Sequence, residues 1–106
     1  KAPDNSDVLP ITHRSFDNDA IMFTDTPGST LTLRGRKSGH GVKIDFEGLK
    51  YIGVWSAAND APFVALEPWT GHTTMDTEDD VFERKVNTIT LAPGATDVRS
   101  FSVTLL

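Results

Sequence analysis

Between Gly41 and Gly48 apolar and charged residues change places at every step, with Val42, Ile44 and Phe46 alternating against Lys43, Asp45 and Glu47. A period of two suits a strand with one buried and one wet face, and it does not suit a helix, whose apolar stripe returns every three to four residues. The same grammar recurs along the chain, punctuated by glycine, proline, asparagine and aspartate. Ala20 to Phe23 predicts a first strand ended by the turn Asp25-Thr26-Pro27-Gly28, and Leu31 and Leu33 alternate with threonines in a second. Tyr51 to Ser56 places Tyr51, Gly53 and Trp55 on one face and Ile52 and Val54 on the other. Phe63 to Trp69 is apolar on both sides and predicts a central strand. Val86 to Leu91 predicts further extended structure, and Phe101, Val103 and Leu105 alternate with serine and threonine, with Val98 out of phase as at a bulge. Thr73 to Lys85 is polar and acidic and predicts a long loop, in which Thr77 and Asp80 have the spacing to cap one helical turn. About seven closely spaced strands with no helix of normal length imply an all-β protein, an antiparallel β-sandwich.

Composition narrows the function classes. The 106 residues fit one unit, residues 1–106, with a modest core that a neighbour covering one face would help. Without cysteine there is neither a disulfide framework nor a thiolate metal site. The net charge of -5, from 15 acidic and 10 basic residues, argues against nucleic acid as a partner. Arg34, Arg36 and Lys37 stand among Gly35, Ser38 and Gly39 and read as a solvated turn. No apolar run reaches the roughly 20 residues that span a bilayer, so no membrane partner is expected, and a cytoplasmic setting is compatible. The chain starts at Lys1 with a polar, linker-like stretch, which is expected of a piece cut from something longer.

Glu67 is the anomaly. Alternation puts it on the face of Phe63, Ala65 and Trp69, a carboxylate in an otherwise apolar strand. Pattern alone favours a strand-end glutamate, next to Pro68, paired with a surface cation. The other reading is a carboxylate whose burial raises its pKa into the range useful for proton transfer. Trp55 and Trp69 are plain core on the simpler view and sugar-stacking platforms on the other.

The run Asp60-Ala61-Pro62-Phe63-Val64-Ala65-Leu66-Glu67-Pro68-Trp69-x-Gly71 resembles the strand that carries the catalytic glutamate in bacterial aldose 1-epimerase-like (galactose mutarotase-like) proteins. Leu9-Pro10-Ile11-Thr12-His13-x-x-Phe16-x-x-Asp19-Ala20-Ile21-Met22-Phe23, Tyr51-Ile52-Gly53-Val54-Trp55 and Leu91-Ala92-Pro93-Gly94 extend the resemblance over nearly the whole chain. The resemblance implies a β-supersandwich of which this chain is the C-terminal portion, and a small-molecule sugar as ligand. It implies that Glu67 takes the anomeric proton, that Asp19 bonds sugar hydroxyls, and that Trp55 and, less closely, Trp69 line the pocket. It also implies that no cofactor or metal is needed.

The family's acid and substrate-binding histidines and its binding arginine lie in an N-terminal part that this chain does not contain, so the chain alone is expected to be nearly inactive. Of the three histidines, His40 and His72 read as exposed loop residues. His13, near Asp19 in sequence, is the one candidate for the sugar site, although a packing role is the simpler account. Asp17-Asn18-Asp19 lacks the glycine and glutamate of a calcium loop, and no nucleophile elbow or phosphate cradle occurs. The rival function is a noncatalytic carbohydrate-binding sandwich. With its covering part absent, the chain is expected to expose strand edges and an apolar face, inviting a dimer.

Overall fold

The computed structural model describes residues 6–106. Six strands form: β1 (Ile21–Thr24), β2 (Thr30–Arg34), β3 (Gly41–Asp45), β4 (Tyr51–Trp55), β5 (Ala65–Trp69) and β6 (Ser102–Leu105). They make two antiparallel three-stranded sheets, ordered β1-β4-β5 and β2-β3-β6. Helix is limited to two short 3-10 turns, His13–Phe16 and Phe82–Arg84, so among the described residues no helix is long and apolar enough to cross a membrane. The architecture is the all-β sandwich that the alternation implies.

The two sheets meet through the apolar half of each alternating pattern. Ile44 and Phe46 from β3 and its end pack on Ile52 of β4, with Phe23, Leu31, Leu49 and Leu66 partly buried around them. The alternation of β3 is borne out, because its even-numbered side chains turn inward and Lys43 stays exposed. Phe16, held in the turn ahead of β1, and Val54 complete the buried hydrophobic set. Burying such side chains stabilises by roughly 1.5–3 kcal/mol each. The core is small for the chain, whose radius of gyration of 15.9 Å exceeds the about 13 Å of a compact domain of this length.

Four expectations are corrected. Val86–Leu91 is not a strand: Asn87 takes a left-handed φ of 62° and Thr88 N donates to Lys85 O, which turns the chain. β5 begins at Ala65 rather than Phe63 and is an edge strand, because β4 holds the centre of the β1-β4-β5 sheet. Val98 lies outside β6 and is 80% exposed, so no bulge forms there. The helical turn in the acidic loop occurs at Phe82–Arg84 with Val81 at its N-cap, not at Thr77.

β6 obeys its alternation without being buried. Register pairs Val103 with Ile44 and Leu105 with Val42, on the core side of the sheet, yet the other sheet does not reach over them. All of β6 is exposed.

Candidate functional site

The side of the β1-β4-β5 sheet turned away from the core is built by register. Tyr51, Gly53 and Trp55 alternate outward on β4, and they stand opposite Trp69, Glu67 and Ala65 of β5. Met22 of β1 continues the Gly53–Glu67 row. Gly53 is itself buried, because it lets Glu67 and Trp69 approach the backbone of β4. A Cβ placed there would lie 3.5 Å from Glu67 Cβ and 3.5 Å from Trp69 Cζ2, so the missing side chain leaves a floor bounded by a carboxylate and an indole. Trp55 stands at the far end of the same face, tilted against Phe63 with ring centroids 5.7 Å apart. An apolar ring face with a hydrogen-bonding group beside it is suited to a flat polyol, which offers C–H groups to the ring and hydroxyls to the acceptor.

Glu67 is half-buried, and among the described residues its carboxylate has neither a hydrogen bond nor an ion pair. The pairing with a surface cation that pattern alone favours does not form among the described residues. Two open clefts lie nearby, one lined by Leu49, Trp69, Gly71 and Phe101 and one by Thr24, Phe46, Tyr51 and Asn87; Glu67 lines neither. The Glu67 surface is an open platform, not an enclosed cavity.

The other sequence candidates separate. Trp55 and Trp69 share the platform with Glu67. Asp19 lies just before β1, exposed, at φ 81°, and its carboxylate accepts a hydrogen bond from Ala20 N at 2.8 Å. No hydrogen bond joins it to Glu67, and β1 stands two strand spacings, roughly 10 Å, from β5. His13 opens the first 3-10 turn, exposed, with Nδ1 3.9 Å from Asp60 Oδ1, so its acidic neighbour is Asp60 and not Asp19. His40 is exposed as expected. His72 is not: it is half-buried, with its ring edge-on to Tyr51.

Sequence reasoning passed over Tyr51, Lys50 and Asn87. Asn87 Nδ2 donates to the Tyr51 hydroxyl at 2.6 Å, and Lys50 Nζ donates to Asn87 Oδ1 at 2.6 Å. The available signal was Asn87 itself, a residue tolerant of left-handed backbone inside an otherwise extended-looking run. Glu78 is a second omission. It accepts the N–H of Met75 at 2.7 Å and of Val86 at 3.0 Å, which closes the acidic loop on itself. The Val86 and Met75 backbone bonds hold its carboxyl below the usual carboxylate value of 4.5. Among the described residues no group of three or more acidic, histidine or cysteine side chains is placed to hold a metal ion.

Comparison with known proteins finds relatives along nearly the whole chain. It is 35% identical over 103 residues to the protein LacX, chromosomal, and to the protein LacX, plasmid, both of Lactococcus lactis subsp. lactis. These matches cover 97% of this chain but 34% of each relative, so the chain spans about a third of the length of the curated relatives it matches. No family model matches the chain. No solved structure matches it. The sequence of this chain is therefore similar, over nearly all its residues, to about a third of a LacX protein.

Proposed function

We propose that this chain is the glutamate-bearing, C-terminal part of an aldose 1-epimerase (galactose mutarotase-like) protein, which interconverts the α and β anomers of a free aldose. The observation that carries this reading is Glu67: a carboxylate with no partner among the described residues, beside Gly53 and a tryptophan, on a strand whose sequence resembles the family's catalytic strand.

The chemistry asks little more of this chain. The Glu67 carboxylate takes the proton from the anomeric hydroxyl as the bond between C1 and the ring oxygen breaks, and C1 becomes an aldehyde carbon. A general acid delivers one proton to the departing ring oxygen. Rotation about the C1–C2 bond and reclosure on the other face return both protons to their donors, so nothing is consumed and only protons move. No redox cofactor enters such a cycle. On this reading the acid, a histidine by the family resemblance, comes from sequence beyond this chain. Trp69 and Trp55 hold the ring, and Asp19 bonds hydroxyls only if the sugar or a shift of the loop before β1 bridges the gap to Glu67.

The exposed core-side residues of β6 support the same reading, since they offer a face for the rest of a longer protein to cover. In its absence a second copy of the chain is the natural cover, giving a dimer.

Anomer exchange of glucose and galactose, followed by NMR, tests the proposal on this chain and on the longer protein. Exchange is expected in the longer protein and nearly absent in the chain alone. Exchange in neither, with sugar binding retained, would replace the enzyme by a noncatalytic carbohydrate-binding module.

A further inference from the structure

His72 follows β5 by three residues, and the fold seats its ring edge-on to Tyr51, 5.2 Å between centroids and 87° between planes. Its Nδ1 lies 2.6 Å from the Thr73 carbonyl oxygen, which can only accept. Nδ1 therefore carries the hydrogen, and Nε2 of the neutral ring presents a lone pair that no described residue uses. The Tyr51 hydroxyl accepts from Asn87 Nδ2, so its own proton is left to donate. The Asn87 amide cannot turn over without loss, because Lys50 holds its oxygen. An acceptor and a donor thus belong to two rings in edge-to-face contact.

The loop that brings these groups in is cross-linked. Glu78 ties the N–H groups of Met75 and Val86 together, and Lys85 Nζ donates to Thr74 Oγ1. The pair also has a fixed relation to the platform: Tyr51 is the register partner of Trp69, whose indole reaches over Gly53 toward Glu67.

We propose that His72 and Tyr51 form a specificity-determining corner of the Glu67 platform, in which His72 Nε2 accepts a hydrogen bond from one pyranose hydroxyl while the Tyr51 hydroxyl donates to the oxygen beside it. The inference rests on the reading of that platform as a sugar site. Adjacent sugar hydroxyls need one acceptor and one donor at short spacing, and inverting one carbon moves its oxygen out of reach. A corner of this kind separates epimers, because a site built to bond a hydroxyl penalises a ligand that leaves its polar groups unpaired.

The test reads binding apart from turnover, using methyl β-galactoside and methyl β-glucoside, whose locked anomeric centres bind without reacting. Dissociation constants are measured by NMR titration on the longer protein and three variants. Tyr51→Phe removes only the hydroxyl; His72→Asn keeps a polar group near Nδ1 and loses Nε2; His72→Gln restores one near Nε2. The expected result is a loss of about tenfold for at least one glycoside in Tyr51→Phe and His72→Asn, a changed ratio between the two glycosides, and substantial recovery in His72→Gln. Affinities within twofold of the parent in both losing variants would overturn the corner, as would equal losses in His72→Asn and His72→Gln, which a mere structural prop would give. Absence of any glycoside binding by the parent would overturn it too. Failure of the mutarotase reading is separate: glycosides bind with the expected pattern but free sugars are not interconverted.

Discussion

Ile44 and Val103 are direct cross-strand partners on one side of one sheet, yet Ile44 is 2% exposed and Val103 is 54% exposed. Alternation assigns both to the core side, and both are there. What differs is cover: the β1-β4-β5 sheet lies over Ile44 and stops short of β6. Leu105, paired with Val42, is 82% exposed for the same reason. The pair teaches that periodicity in a sequence specifies which way a side chain points, while burial depends on what the rest of the protein places above it. The Glu67 platform is uncovered in a different way. There the outward face mixes a half-buried carboxylate and two half-buried indoles around a buried glycine, whereas the core side of β6 offers exposed aliphatic groups only. The first composition suits a ligand and the second suits more protein.

The largest expected effect lies under the cover. Ile52→Ala should destabilise the chain by about 2–5 kcal/mol in urea unfolding, because it opens a cavity between the sheets. Val103→Ala should change the stability of the chain by no more than about 0.5 kcal/mol. A cost for Val103 equal to that for Ile52 would break the comparison.

The longer protein sharpens it. If further sequence covers β6, Leu105→Ala should cost about 2–5 kcal/mol there while remaining near neutral in the chain alone. Equal, small effects in both would leave β6 a true surface strand. In the chain alone, Leu105→Ser should shift sedimentation toward monomer if the uncovered face drives pairing.

The smallest effect is local. The folded pKa of Glu78 lies below 4.5, so the stability it lends the loop is fully present above that value and is lost as the pH falls through the folded pKa. Amide exchange at Met75 and Val86, corrected for intrinsic rates, should accelerate in acid ahead of the core amides. Glu78→Gln should erase that pH dependence, and its persistence would assign the effect to another group.

Much of the fold was legible because its strands are short and amphipathic. The pattern Val42, Ile44, Phe46 identifies β3 and its inner face, and Tyr51 to Ser56 identifies β4, although the central position it takes is the one expected of Phe63 to Trp69. The run Phe63 to Trp69 misled for a physical reason: its apolarity serves the core through Leu66 and the open platform through Trp69, which reads like a strand buried on both sides. Val86 to Leu91 misled because a single asparagine, bonded to a tyrosine 36 positions away, turns a run that looks extended. The same long-range bond hid the corner at Tyr51. Glu67 stood out as a charge in an apolar strand, but its neighbours Gly53 and Trp69 are brought beside it by register that no local pattern contains.

The most direct test replaces Glu67 by glutamine in the longer protein and follows α-to-β exchange of galactose by NMR, with circular dichroism as the check on folding. The account predicts an unchanged fold, retained glycoside binding within a few-fold, and exchange slowed by about 10²–10⁴. Exchange at the parent rate in a folded Glu67→Gln protein would contradict it, and would move the proton transfer to some other group.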